Sequence, residues 1–270
     1  MTYYKFLTEY NKGEYSQSDY NEYLPKDNNP GKWLPTIDGD IVLCRKGYHA
    51  CTINQLTYWI NAHLFEVEVS GDIVIGTDKI AGSRMRFVRK IEGWNDCNAR
   101  LYACWCAEKV LPFYEERHPT DKRLYNTIEI SRLFAHGKAT PEELREARIM
   151  ISVIQWEMEQ EMEKELSVET VRALGAARAV AGSIYRIAWL AAWYAEHEAS
   201  NAANNIAKTR NMIKIQCQYL VKMLGLDMNQ EEKNEQIKII QRRDKFDPLQ
   251  ASYNDLVNEV YQRQTESEGE

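Results

Sequence analysis

The sequence predicts an α+β protein: a small mixed α/β module at the N-terminus, followed by a mostly antiparallel α-helical array. Three observations predict it. Between Asp38 and Ile91, short apolar runs are separated by Gly and Asp turns, the pattern of strands. After Gly93-Trp94 the apolar residues recur at three- and four-residue spacing to Leu224, the period of helices. Helix start signals then follow one another, at Asn95-Asp96, Thr120, Thr140-Pro141-Glu142-Glu143 and Ser167.

Residues 1–40 hold six tyrosines between Tyr3 and Tyr23, then Pro25, Pro30 and Pro35. Apart from a short strand at Tyr3–Leu7, Pro and Gly argue against long regular elements there. Asp38-Gly39-Asp40 turns into a second strand, Ile41–Cys44. Thr52 caps a helix carrying Leu56, Trp59 and Ile60. Leu64–Val69 alternates, with Phe65, Val67 and Val69 on one face and Glu66 and Glu68 on the other. Ser70-Gly71-Asp72 reads as a hairpin turn into Ile73–Ile75, and Arg84–Ile91 as a further strand.

The helical part opens with Leu101, Cys104, Trp105 and Val110 on a helix bent or ended near Pro112. A second helix carries Leu124, Ile128 and Leu133 and stops at Gly137. A third starts at Thr140-Pro141, and Ser167 caps an alanine-rich helix running through Ala199. Ile206, Ile213, Cys217, Leu220 and Leu224 form a coiled-coil-like seam ending at Gly225. Shorter helices are expected at about 230–243 and 249–262. The domains read as 1–93, the α+β module; 94–226, the helical domain; and 227–270, an acidic helical tail with a partly disordered end.

Composition narrows the function classes. With 44% hydrophobic and 27% charged residues, the chain can bury a sizeable core. Lys+Arg and Asp+Glu number 11 and 12 in residues 1–93, 17 and 17 in 94–226, and 6 and 11 in 227–270. No basic stripe for double-stranded nucleic acid is visible. The most apolar window, Ala173–Ala195, contains Arg178 and Arg186, each costing roughly 2.5–3.5 kcal/mol at the centre of a bilayer, so no membrane span is expected. The opening MTYYKFLTEY lacks the apolar run of a signal peptide, which points to the cytoplasm and to reduced core thiols for the six cysteines.

Several constellations could carry chemistry. Trp33, Arg45, Tyr48 and His49 cluster in and around CRKGYHAC, after a strand, and a cation, an aromatic and an imidazole on such a loop suit a phosphate or nucleotide. These four are the candidate ligand-binding residues. Cys44, His49, Cys51 and His63, or Cys97, Cys104 and Cys106, lack the tight pairs that zinc sites use, so no metal and no cofactor is expected. Glu66 and Glu68 are spaced for acid–base work, about 6.6–7 Å apart along a strand, although charges on a wet strand face are commoner. Glu157, Glu159, Glu161, Glu163 and Glu165 spread around a helix rather than converge.

GDIVLCRKGYHAC, with the following LFEVEVSGDIV and the Asp78-Lys79 pair, resembles a domain common in bacteriophage and prophage genomes, whose pattern is a CR-G-hydrophobic-H-A/F-C loop, an EVE-G strand and a DK pair. WNDCNARLYACWCAEKVLPFYEERHPTDKR resembles the alanine-rich helical family of immunity proteins. The resemblances span about residues 39–225. The Tyr-rich N-terminus, the acidic tail and His118 before Pro119 depart from them. They imply a mobile-element accessory protein, in the host cytoplasm if phage-encoded, that sequesters a protein partner or a small nucleotide-like ligand. Two other readings remain open: a structural virion component, and an enzyme loosely similar to part of an ADP-ribosyltransferase-like fold, with His49 and Glu68 as catalytic residues. A homodimer through the alanine stripe (Ala188, Ala192, Ala195, Ala199) or the Ile206–Leu224 seam is also expected.

The boundary near Gly93 is expected to lie inside a continuous unit, with Trp94 packed across it. Limited proteolysis should therefore cut first within 1–35 or 245–270. First cuts at 90–97 would instead mark two separable parts.

Overall fold

Tyr3–Leu7 forms β1, and its aromatics Tyr3, Tyr4 and Phe6 are buried on both faces of the strand. It pairs antiparallel with β3 (His63–Ile75), which pairs with β4 (Ile80–Lys90), which in turn pairs with β2 (Tyr48–Ala50). The sheet order is β1-β3-β4-β2. Just past β2, Cys51 exchanges both backbone hydrogen bonds with Tyr4 of β1, each 2.8 Å. The two outer strands therefore meet, and the sheet curls with few free edges. On one face Tyr3, Leu7, Phe65, Val67, Met85 and Phe87 form a core, closed over by Tyr20 and Leu34 from the Tyr- and Pro-rich segment. Residues 31–37 of that segment run beside β4, with Gly31, Leu34 and Ile37 donating to the carbonyls of Phe87, Met85 and Ser83. The computed structural model describes residues 2–160, 167–182, 188–202 and 206–226.

Two strand expectations are corrected. Ile41–Cys44 is not a strand: Val42 bonds to Lys46 through both its N–H and its carbonyl, closing a turn, and Cys44 takes the left-handed φ of 63°. The strand lies further on, at Tyr48–Ala50, so Tyr48 and His49 belong to a strand rather than to a loop. Ser70-Gly71-Asp72 is not a hairpin turn either. β3 runs on to Ile75 through a register shift between Ser70 and Ile73, where Gly71 has φ 77° and Ser83 Oγ accepts from Asp72 N at 3.0 Å. This is a bulge made possible by glycine. The hairpin turn falls instead at Gly76–Lys79, closed by Gly76 N donating to the Lys79 carbonyl. Thr52 does begin a helical segment, which is a 3₁₀ stretch over Ile53–Trp59.

The sheet hands over to the helices at Trp94, which is 3% exposed. Its indole N–H donates to the Asn61 carbonyl at 2.7 Å, and its ring meets Phe6 edge-on at 5.6 Å and Tyr102 at 6.4 Å. Asn95 caps α1 (Asp96–Glu115) by accepting from Asn98 N. Pro112 does not end that helix, because it lies in the last turn and Glu116 N still finds its carbonyl. α2 (Arg123–Ala135) ends at Gly137, φ 69°. α3 (Pro141–Gln160) starts with the reciprocal Thr140–Glu143 box. The alanine-rich stretch yields α4 (Val168–Ala181) and α5 (Ala188–Asn201), with Gly182 capping α4. α6 is Ile206–Met223. The helices expected at 230–243 and 249–262 lie outside the described residues.

Small residues decide the helical packing. Ala99, Ala103 and Ala107 on α1, Ala173, Ala176 and Ala177 on α4, and the 188/192/195/199 stripe on α5 are all buried, and these three helices pack on one another. The stripe is thus covered within the chain. α6 packs on the 3₁₀ stretch, with Leu220 buried and the Cys217 thiol donating to the Ile53 carbonyl at 3.1 Å.

One acid is enclosed in this array. Glu196 is 6% exposed, and its Oε1 lies 3.0 Å from Ser200 Oγ, which lies 2.8 Å from Gln216 Oε1. A serine hydroxyl has one proton and cannot donate to both oxygens. A neutral Glu196 resolves this: its O–H donates to Ser200, and Ser200 donates to Gln216. Gln216 Nε2 then returns to the Glu196 carbonyl at 3.1 Å. Burial pushes the Glu196 carboxyl up to about 8 from 4.5. The folded chain thus keeps a proton that the unfolded chain releases, and Glu196 costs stability as pH rises from 4.5 to 8, at about 1.4 kcal/mol per pH unit for one proton. Denaturant midpoints across that window should fall more steeply for the wild type than for Glu196→Gln, which carries no proton to lose. Equal slopes would mean the acid is ionised when folded.

Candidate functional site

Sequence-distant residues meet at one corner of the sheet. The 42–46 turn is locked from β2, where His49 Nε2 accepts from Cys44 N at 2.9 Å. That bond requires a neutral ring with its proton on Nδ1. Burial, with the Lys5 and Lys79 ammoniums, holds His49 down at about 4. The His49 carbonyl accepts from Lys5 Nζ at 2.7 Å, and burial brings that ammonium down to about 8. From the β3–β4 turn, Lys79 Nζ reaches Cys44 Sγ at 3.2 Å, its neighbour Asp78 at 3.4 Å, and the face of Trp59 at 4.6 Å. Burial opposes the Lys79 charge, but Asp78 and Cys44 outweigh it and raise its pKa. The 3₁₀ stretch fixes this turn: Trp59 Nε1 donates to the Asp78 carbonyl at 2.7 Å, and Gln55 Nε2 to the Thr77 carbonyl at 2.9 Å. Cys44 itself is exposed.

The four candidate ligand residues occupy different surroundings. Arg45 follows Cys44 on the exposed turn. Tyr48 and His49 are successive on β2 and so point to opposite faces; Tyr48 Oη donates to the Pro35 carbonyl at 2.7 Å, pinning β2 to the N-terminal segment. Trp33, from that segment, lies under Arg84 and Arg86 at 4.7 and 4.9 Å. Glu68 pairs with Arg86 at 2.5 Å, and Glu66 with Arg89 at 2.6 Å. His49 is opposite Ala81 and Glu68 is opposite Arg86, five residues apart along β4, or about 16 Å. The structure brings His49 to Cys44 and Lys79, and Glu68 to the region of Trp33, but not His49 to Glu68.

The thiols drawn as zinc ligands also separate. Cys51 is buried, His63 Nδ1 bonds Asn11 at 2.7 Å, and Cys104 and Cys106 are enclosed in α1. Among the described residues no three potential metal ligands gather. Residue-by-residue reading did not connect Lys5, Trp59 or Lys79 to Cys44. The Asp78-Lys79 pair stood out only through the resemblance, because a 35-residue separation carries no periodic signal.

A second feature lies on the helical array. α3 buries Leu144, Ala147, Ile151, Ile154 and Met158, yet exposes Ile149 at 56%, Val153 at 37% and Trp156 at 60%. At about 100° per residue these three fall within roughly 60° of one another, on the face opposite the buried set. Met150 beside them, and Val168 and Val171 on α4, are exposed as well. No described helix is long and apolar enough to cross a membrane.

The fold is thus that of a curled antiparallel sheet carrying a helical array with an exposed apolar stripe. The helical part, residues 97–223, matches the family described as Imm-5 like putative immunity protein; that range runs from the second residue of α1 to the last of α6. No curated protein and no solved structure matches the chain.

The His49 geometry is directly measurable. An NMR titration of its ring protons should give a midpoint near 4. A midpoint at or above the unperturbed value, about 6.5, would mean that the imidazole does not lock the turn.

Proposed function

We propose that the chain is a non-enzymatic accessory protein of a phage or other mobile element, of the immunity type, that acts by binding a protein partner through its helical array. The observation that carries this reading is the outer stripe of α3, which lies within the stretch that matches the immunity family. A helix that is apolar on its inner face needs no second apolar face to fold, and exposed contiguous apolar side chains mark association surfaces. A large exposed aromatic beside two branched aliphatics suits an interface centre. The occupant is a toxin-type protein domain presenting an apolar groove to the stripe. The corner around Cys44 and His49 offers a further contact for a small anionic ligand, with Arg45 exposed beside it.

The enzymatic reading loses ground on geometry. About 16 Å of strand separates His49 from Glu68, Glu68 is occupied by Arg86, and His49 is occupied by the Cys44 amide.

The test is protection in cells, followed by affinity. Co-expression with toxins of the same mobile element should restore growth for one of them. The double substitution Ile149→Glu/Trp156→Glu should then weaken binding at least about 30-fold, the loss of roughly 2 kcal/mol typical of an interface centre, with the melting temperature within a few degrees of wild type. Wild-type affinity of that variant would exclude the stripe. Light scattering on the chain alone separates a different occupant: a dimer of twice 31.5 kDa that the same substitutions dissolve would make the stripe a self-association surface and overturn the toxin reading.

A further inference from the structure

We propose that β3 and β4 carry a binding site for a phosphate group, with Arg84 and Arg86 as the anion-binding side chains and Trp33 as the wall that positions them. This inference is independent of the partner-binding reading. Residues directly opposite in an antiparallel pair project to the same side of the sheet. The β3–β4 register therefore builds a ladder in which Glu66 faces Arg89, Glu68 faces Arg86 and Ser70 faces Arg84. The first two rungs are closed ion pairs, at 2.6 and 2.5 Å. The third is left open. Ser70 stands where a carboxylate would complete the pattern, Arg84 is exposed, and no carboxylate among the described residues pairs with it.

A different part of the chain supplies the second observation. Residues 31–37 are bonded along β4, with Gly31, Leu34 and Ile37 donating to its carbonyls, and this brings Trp33 to both guanidiniums. Arg84 Cζ lies 4.7 Å and Arg86 Cζ 4.9 Å from the centre of the indole. Two like charges are thus gathered on one ring while Glu68 pairs with only one of them. Their repulsion is uncompensated in the free protein and is relieved by an anion. A guanidinium presents its donors as a planar fork that fits two phosphate oxygens. Two such forks at alternate residues of a strand, about 6.6–7 Å apart, close on one phosphate from two sides. Contact with Trp33 restrains both guanidiniums beforehand, so less freedom is lost on binding. The Ser70 hydroxyl, opposite Arg84, adds a neutral donor. The ligand is a phosphomonoester dianion, either free phosphate or a nucleotide whose base adds contact with the half-buried Trp33.

The full-length chain is titrated at pH 7.0 and low salt with inorganic phosphate and, separately, with AMP, while NMR follows the arginine Nε–H and indole N–H signals. The Arg84, Arg86 and Trp33 signals should shift and saturate with a Kd of about 1 mM or tighter, and Arg89 should not move. Arg84→Gln should weaken both titrants at least tenfold. The double substitution Glu66→Gln/Arg89→Gln, which removes a matched pair and no net charge, should leave them within twofold. Ser70→Glu closes the third rung and should abolish binding while Arg84 and its Trp33 contact stay in place, so it tests the site should Arg84→Gln prove poorly folded. AMP binding more tightly than phosphate, with the margin lost in Trp33→Leu, identifies a nucleotide site; equal affinities identify a site for the phosphate group alone. No saturable shift with either titrant up to 10 mM, or wild-type affinity in folded Arg84→Gln or Ser70→Glu, would overturn the proposal.

Discussion

Trp94 sits where the chain stops being sheet and starts being helix, and the rest of the structure depends on how it is held. Its indole N–H reaches the Asn61 carbonyl while its ring divides its surface between Phe6 of β1 and Tyr102 of α1. Burying roughly 200 Å² of aromatic surface stabilises the joint by about 5 kcal/mol at about 25 cal/mol per Å², comparable with the whole stability of many domains. With this joint closed, α1 is fixed in direction against the sheet, and α6 returns to lay Cys217 on the Ile53 carbonyl. The 3₁₀ stretch is then gripped from both sides: by α6 on one, and on the other by the β3–β4 turn, whose Asp78 and Thr77 carbonyls it binds through Trp59 and Gln55. The same grip places Lys79 against Cys44.

The helical array reaches stability by a different route. Where α1, α4 and α5 pack together, many of the buried residues are alanines, which bring backbones close but bury little area per residue. A neutral Glu196 chained through Ser200 to Gln216 adds directional bonds between α5 and α6 where side-chain bulk is lacking. α3 carries large apolar side chains on both faces. One face fills the core, and the other, with Ile149, Val153 and Trp156, is exposed.

The order of elements was readable from periodicity and caps: Tyr3–Leu7, the Thr140–Glu143 box, Asn95 and Ser167 all act where local chemistry puts them. The errors share one cause. Ile41–Cys44 has strand composition, but Lys46 and His49 close it into a turn, and Ser70-Gly71-Asp72 has turn composition, but β4 pairs across it and converts it into a bulge. In both cases a hydrogen-bonding partner outside the segment, four or five residues on in the first and eleven on in the second, overrode local preference. The candidate site was legible in part for the same reason. His49 was visible in its motif, whereas its true neighbours, Lys5 and Lys79, come from other strands and turns. Trp33 seemed close in sequence but belongs with Arg84 and Arg86. The α3 stripe escaped because its buried and exposed faces are both apolar, so the sequence pattern does not tell which of them is covered.

The central claim is that sheet and helices form one cooperative body, so that the Cys44 corner and the α3 stripe are carried by the same fold. Native-state hydrogen exchange on the full chain tests it most directly. If the account holds, the slowest amides of β3, around Phe65 and Val67, and of α1, around Ala103 and Val110, exchange with one common opening free energy and one common denaturant dependence. Sheet amides that open at clearly lower free energy while α1 stays protected would contradict it.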